Sequence, residues 1–281
     1  MNEKLKNLDL FLNKYRTMPI YYIVYSNRGC SVDIQINNLL VEKVTECETN
    51  GGTAITINHS IFKSGKQNVM VKLSPLYDQN KITENVPFTM KIGYKDYKEN
   101  GTPWHWILEM PHIQISNNGI PEYFYQADFE ANVPYETYGY LNCIDLRQIS
   151  NIENIVVEKF NEIRTLILNK QYEILQQIQL NKYYELALSL YQKSDDVLKN
   201  WQDDIEKYEK ANTDDYLEIK DYCIKFYAGG RLVTLEKQTK EFGWFDSALM
   251  YIKESDTEWE CTSFTMYWGM LKTGNDLVLI R

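Results

Sequence analysis

The spacing of hydrophobic residues changes once along the chain, and the change separates two kinds of predicted structure. Between Pro19 and Leu141, hydrophobic residues recur at every second position, and the runs are separated by turn-forming residues. The clearest run, Ser31–Ile36, alternates valine and isoleucine with serine, aspartate and glutamine. A period of two is typical of strands that bury one face and expose the other. This half of the chain is therefore predicted to be all-β.

Further strands, and the turns between them, follow from the same pattern. Asparagine and glycine allow the positive φ angles that tight turns require. The predicted strands cover residues 54–58, 67–73, 88–95, 104–110 and 123–133. The predicted turns lie at Asn37-Asn38, Asn50-Gly51-Gly52, Ser64-Gly65, Asn100-Gly101 and Asn118-Gly119. With the earlier strands this makes seven or eight, enough for a β-sandwich of Ig-like or jelly-roll type.

A different period begins near residue 145. Hydrophobic residues then recur at spacings of three and four, which is the stripe of an amphipathic helix. Ser150 and Glu153 predict a capping box at the start of the first helix. Ser194 and the two aspartates after it predict a cap for the third helix. Asn169-Lys170 marks either a break or a kink between the first two helices.

These patterns predict an α+β protein with two domains. Residues 1–18 form an N-terminal lead segment, and residues 19–145 form the β-sandwich. Residues 146–281 form an α+β domain. In it, helices over about 150–210 cover one face of an antiparallel sheet of about four strands over about 216–281. A length of 281 residues fits two domains of ordinary size.

Composition and charge narrow the function classes. The chain is 44% hydrophobic and has only 13 Gly and 7 Pro, which excludes a collagenous or disordered protein. Its net charge of -9 argues against binding to nucleic acid or anionic membranes and favours a basic or neutral protein partner. No hydrophobic run reaches the roughly 18 residues of a membrane span, and no signal-peptide layout is present. Five scattered cysteines without a C-x-x-C pair favour reduced thiols in a cytoplasm.

No motif in the chain specifies a reaction, a metal or a cofactor. The three histidines lack zinc-ligand spacing, and the Gly229-Gly230 pair is a hairpin turn rather than a phosphate loop. Cys143, Cys223 and Cys261 lie in or beside hydrophobic runs, so we interpret them as small buried side chains. No catalytic, cofactor-binding or metal-binding residue is therefore predicted.

The candidate residues for partner binding lie in three places. On the strand over 123–133, Gln126, Asp128 and Glu130 share a polar face, which can be a solvated surface, a calcium site or a contact for a basic partner. If Trp104 and Trp106 face the core, His105 faces solvent. The chain contains 22 tyrosines, and five of them cluster near predicted turns and the domain junction: Tyr94, Tyr97, Tyr135, Tyr138 and Tyr140. Of these, Tyr135, Tyr138 and Tyr140 are predicted to contact the second domain or a partner.

Several stretches together resemble a loose set of bacterial two-domain proteins, some of which are similar to immunity proteins that neutralise contact-delivered toxins. The stretches are residues 57–61, 64–69, 129–135 and 226–233. The first of these stretches also resembles the Ig-like or jelly-roll β-sandwiches that flank glycoside hydrolases. Tyr140 stands where the resemblance implies a tryptophan. The resemblance implies an architecture and carries no catalytic residue.

The leading hypothesis is a non-enzymatic, cytoplasmic protein-interaction module, most concretely an immunity protein that binds a toxin such as a basic toxin domain and blocks it. Tyrosine and tryptophan are favoured anchors of such interfaces. One alternative is a carbohydrate-binding module in which Trp104 and Trp106 stack on sugar rings. A second alternative is an enzyme with a pocket in the C-terminal α+β domain.

Overall fold

The computed structural model describes residues 3–45, 52–76, 79–83, 88–99, 103–113, 115, 118–239, 243–254 and 259–281. The chain forms two compact units, each built from separate segments. The N-terminal unit comprises Phe11–Thr137 and Leu188–Tyr191, and the C-terminal unit comprises Met1–Leu10, Tyr138–Ala187 and Gln192–Arg281. Helices and antiparallel sheets occur together, so the predicted α+β class is confirmed.

The N-terminal unit contains two antiparallel sheets of four strands. Its strands are β1 (Pro19–Ser26), β2 (Ser31–Ile36), β3 (Leu39–Val44), β4 (Thr53–Thr56), β5 (Gly65–Ser74), β6 (Thr89–Asp96), β7 (His105–Glu109) and β8 (Tyr123–Ala131). The first sheet has the order β4-β1-β6-β7 and the second has the order β3-β2-β5-β8. Strands β7 and β8 are therefore edge strands.

Each of these sheets buries one face, as the period of two predicts. In β2 the hydrophobic residues are buried and the alternating polar residues are half-buried. Three turns have the predicted positive φ: Asn37 and Asn38 have φ angles of 52° and 62°, Gly65 has a φ of 115°, and Gly119 has a φ of 68°. The predicted turn at Asn100-Gly101 lies outside the described residues, as do Asn50 and Gly51 of another. Strand β3 was not predicted, because its sequence does not alternate.

Four α-helices are described, and three of them lie where helices are predicted, although Ile174 of the predicted stripe of the second is exposed. They are α1 (Glu3–Leu12), α2 (Ile152–Leu168), α3 (Tyr172–Leu190) and α4 (Ser194–Glu209). The predicted cap at Ser150 is wrong, because Asn151 is the N-cap of α2 and makes no side-chain capping bond. Lys170 has a φ of 53°, so α2 and α3 are two separate helices and not one kinked helix. Helix α1 falls in the predicted lead segment and was not expected.

The strands of the C-terminal unit form two sheets rather than the predicted single sheet. They are β9 (Tyr222–Tyr227), β10 (Leu232–Thr239), β11 (Gly243–Phe245), β12 (Met250–Glu254), β13 (Trp259–Ser263), β14 (Trp268–Met270) and β15 (Leu277–Leu279). Five strands form one sheet, with β9 and β10 joined as the predicted hairpin, while β12 and β13 pair separately. Helix α2 packs against β10, and Phe160 and Trp268 lie in the shared core.

Among the described residues, no helix combines the length and the hydropathy that crossing a bilayer requires.

Candidate functional site

The predicted acidic face of β8 lies on the surface but is neutralised within its own sheet. Gln126, Asp128 and Glu130 are all exposed. Asp128 pairs with Lys66 of β5 at 2.7 Å, and this contact holds the pKa of the carboxyl below its ordinary value. Glu122 pairs in the same way with a β5 lysine, at 2.5 Å. Local pairing with lysines is typical of a solvated surface of mixed charge.

Two of the three tyrosines predicted to contact the second domain or a partner are buried. Tyr135 and Tyr140 are only 5% and 6% exposed, whereas Tyr138 is 63% exposed. The Tyr135 hydroxyl donates to the backbone oxygen of Asn58 at 3.0 Å, and its ring packs against Tyr191. Burial leaves only Tyr138 of the three open to an external partner, and a contact of these tyrosines with the second domain stays a prediction. Proximity to a turn did not determine exposure, because the segment after β8 turns inward to pack.

The cysteines also differ in their exposure to solvent. Cys143 is buried, and burial raises the pKa of its thiol to about 11, so it is held as a neutral side chain. Cys223 is exposed, which contradicts the interpretation of it as a buried side chain, and Cys261 is half-buried. Among the described residues, no group of three or more histidine, cysteine, aspartate or glutamate side chains could hold a metal ion.

An ordered aromatic surface lies instead on the outer face of the first sheet. The rings of Trp104 and Trp106 stack in parallel, with centroids 5.0 Å apart and an interplanar angle of 10°. Tyr22 meets Trp104 edge-on at 5.1 Å. The ammonium of Lys95 lies 4.7 Å from the centre of the Trp104 ring, and that of Lys91 lies 5.9 Å from the centre of the Trp106 ring. We call these five residues the indole surface.

A one-residue bulge places Trp106 on this face, so the condition from which an outward His105 was inferred, a core-facing Trp106, does not hold. Ile92 pairs with Leu108, whereas the next residue, Gly93, pairs with Trp106. Ile107 is thereby skipped, so Leu108 and Trp106 fall on opposite faces although they are two residues apart. Trp106 is consequently 46% exposed, and Trp104 is half-buried.

Gly93 supplies the space under the exposed indole. A side chain at this position would place its Cβ 2.8 Å from Cε3 of Trp106 and 2.9 Å from the backbone oxygen of His105. Glycine inside a strand is a known sign of close approach, and this was the one signal in the sequence that could have revealed the site. His105 is exposed, and its ring stacks on that of Tyr94 with centroids 4.9 Å apart.

We expect Gly93→Ala to displace the Trp106 ring and to lower the free energy of unfolding by about 1–3 kcal/mol, because a closely packed site must shift to admit a methyl group. Near-UV circular dichroism of the stacked indoles and urea unfolding measure the two effects. Gly52→Ala is the matched control, since the nearest atom to its new Cβ is 4.0 Å away. An unchanged indole signal in Gly93→Ala would contradict the prediction.

No protein-family model matches this chain, and neither a curated protein nor a solved structure matches it.

Proposed function

We propose that this chain is a non-enzymatic, cytoplasmic protein-binding module, most concretely an immunity protein that binds and blocks a bacterial toxin. The observation that carries the proposal is the indole surface. Trp106 is 46% exposed and its neighbour Ile107 is 37% exposed, so large hydrophobic side chains meet solvent at the edge of a sheet. Tryptophan dominates the binding energy of many protein interfaces, because it buries a large area at a low cost in side-chain entropy.

The arrangement of the rings favours a protein partner over a sugar. Each indole stacks on the other indole and also has a lysine ammonium over its ring. A sugar that stacks on Trp104 or Trp106 would compete with these two contacts for the ring faces. A protein side chain can instead contact the exposed ring edges and the lysine ammonium groups together.

Charge suggests two stages of recognition. The net charge of -9 attracts a basic protein over long range and speeds its encounter. At short range, Lys95 selects carboxylate or carbonyl oxygens on that protein, while Lys91 is already paired with Glu109 at 2.9 Å. A basic toxin domain with a locally acidic contact patch meets both conditions.

We also propose that the two sheets of the N-terminal unit pack face to face as a β-sandwich. Three observations support this arrangement: each sheet buries one face, edge strands β7 and β8 approach each other, and the backbone N–H of Asn132, just after β8, donates to the hydroxyl of Tyr21 in β1 at 2.7 Å. A sandwich holds the first sheet rigidly, and this keeps the indole surface ordered before a partner binds.

Trp106→Ala is expected to weaken binding of the partner by about 2 kcal/mol or more, roughly thirtyfold in Kd, because it removes a central aromatic anchor. The partner is first captured on the immobilised chain from lysate of the native host and identified by mass spectrometry. The affinities of the variants are then measured by calorimetry.

The matched control is Trp259→Ala, which removes a tryptophan that is 50% exposed in the C-terminal unit. An immunity function further requires that the captured protein alone arrests growth and that co-expression of the wild-type chain restores growth. Equal affinity of the two tryptophan variants would refute the indole surface as the contact. A captured protein that does not arrest growth would refute the immunity function.

A further inference from the structure

The C-terminal unit contains a cleft that the proposed partner binding does not use. Its volume is about 380 Å³, which lies within the range of about 300–1,000 Å³ typical of small-ligand sites. Polar side chains from α3 and α4 line one part of it, and hydrophobic side chains line another. The hydrophobic residues are Ile163, Leu249, Phe264 and Met266.

One residue that lines this cleft carries a buried acceptor for which the described part of the chain supplies no hydrogen bond. Gln179 is only 4% exposed and donates from Nε2 to the hydroxyl of Tyr208 at 3.3 Å. Its Oε1 atom has no hydrogen-bond partner among the described residues. Because an unpaired buried carbonyl is costly, a ligand that supplies a donor here gains both the bond and the relief of that cost.

A lysine with unused donors lies one helical turn away. Lys182 is three residues after Gln179 on α3, so both side chains are on the same face of the helix. Its ammonium donates to the backbone oxygen of Thr265 at 3.1 Å and lines the cleft with N–H groups to spare. Burial lowers the pKa of Lys182, while the carboxylates of Asp204 and Asp246 act in the opposite direction. An anionic ligand would stabilise its charged form.

The other charged side chains of the cleft are largely paired with one another. Three lysines and two acids line the cleft. Asp204 is already engaged by the hydroxyl of Tyr183 and by Lys207 at 3.0 Å, and Glu260 accepts from the hydroxyl of Tyr251 at 3.0 Å. Asp246 is a third acid that acts on Lys182, so the N–H groups of Lys182, and not an excess of positive charge, match the cleft to a ligand carboxylate.

We propose that this cleft binds a small carboxylate that carries an amino or hydroxyl group on the adjacent carbon and a hydrophobic side chain. The carboxylate accepts from Lys182, the amino or hydroxyl group donates to Oε1 of Gln179, and the side chain packs on Phe264 and Met266. An α-amino acid and an α-hydroxy acid share this chemistry.

Four probes distinguish the parts of the ligand. L-Phenylalanine and L-phenyllactate carry both groups, 3-phenylpropionate lacks the donor, and phenethylamine lacks the carboxylate. Calorimetry on the full chain is expected to detect saturable binding of at least one of the first two and at least about tenfold weaker binding of the last two. Which of the first two binds more tightly identifies the amino or the hydroxy acid. Absence of saturable binding, or equal binding of 3-phenylpropionate, would overturn the proposal.

Two variants locate the site. Gln179→Leu and Lys182→Met remove the acceptor and the cation at similar side-chain volume, and each is expected to weaken binding by about tenfold or more. Gln177→Leu, at an exposed position of the same helix, is the matched control and retains the wild-type affinity. Equal affinity in all three variants would place binding elsewhere and overturn the proposal.

A measurement on the wild-type chain keeps the test valid if a variant fails to fold. With labelled methionine methyl groups, the resonance of Met266 in the cleft is expected to shift on binding, while that of Met90 in the N-terminal unit does not. An unchanged Met266 resonance at saturation would exclude the cleft. None of these outcomes depends on the protein partner, so the ligand site and the proposed function stand or fall separately.

Discussion

Asn58→Ala is expected to lower the free energy of unfolding by about 3 kcal/mol or more, since it removes three hydrogen bonds from a fully buried environment. Asn58 is fully buried in the N-terminal unit. Its Oδ1 accepts from the backbone N–H of Tyr21 at 2.6 Å, and its Nδ2 donates to the backbone oxygens of Pro19 at 2.9 Å and Ser189 at 3.0 Å. One side chain thus joins β1 to the segment Leu188–Tyr191 within this unit.

Urea unfolding monitored by circular dichroism measures the decrease in the free energy of unfolding of Asn58→Ala. Asn68→Ala is the control from the same unit, because the Asn68 side chain donates to the backbone oxygen of Ala127 and to Asp128 at the half-exposed face of the second sheet. Water can replace those bonds, so we expect a loss of about 1 kcal/mol or less. The account of Asn58 fails if its alanine variant is no less stable than that of Asn68.

Glu185→Ala is expected to destabilise the C-terminal unit by about 3–5 kcal/mol, because it removes the carboxylate that is paired with a buried guanidinium. Arg281 is 7% exposed, and its Nη1 lies 3.0 Å from Oε2 of Glu185. The same carboxylate accepts from the backbone N–H of Gly139 at 3.1 Å. The variant therefore loses an ion pair and a backbone contact together.

Two comparisons test this explanation by thermal and urea unfolding. Glu162→Ala breaks a more exposed pair with Lys159 on α2 and is expected to cost about 1 kcal/mol or less. The double variant Glu185→Ala with Arg281→Leu removes the buried guanidinium as well and is expected to recover part of the lost stability. If the double variant is as unstable as the sum of the two single variants, the buried charge is not the cause.

Local patterns in the sequence were sufficient for most strands and for the α+β class. Strand β2 coincides with the predicted run, and the outward positions of Gln126, Asp128 and Glu130 follow from strict alternation along β8. The same reasoning missed β11 and β14, each only three residues long. Strands this short contain too few residues to display a period, and they form because a neighbouring strand supplies hydrogen bonds.

The candidate sites depended on information that no local pattern contains. A single bulge opposite Ile92 and Gly93 reversed the face of Trp106 and created the indole surface. The cleft in the C-terminal unit joins residues more than 80 positions apart, such as Lys182 and Thr265, which meet only after folding.

The sequence by itself determined most of the segments that are helices and strands, because side-chain period and turn chemistry act over a few residues. Only the tertiary structure decided which of the 22 tyrosines and six tryptophans meet solvent. Tyr135 and Tyr140 are buried while Tyr138 and Trp106 are exposed, although all four occur in similarly aromatic stretches. Exposure is set by the surfaces that distant segments bring against a side chain, and by shifts of one residue in strand register, neither of which is encoded in local spacing.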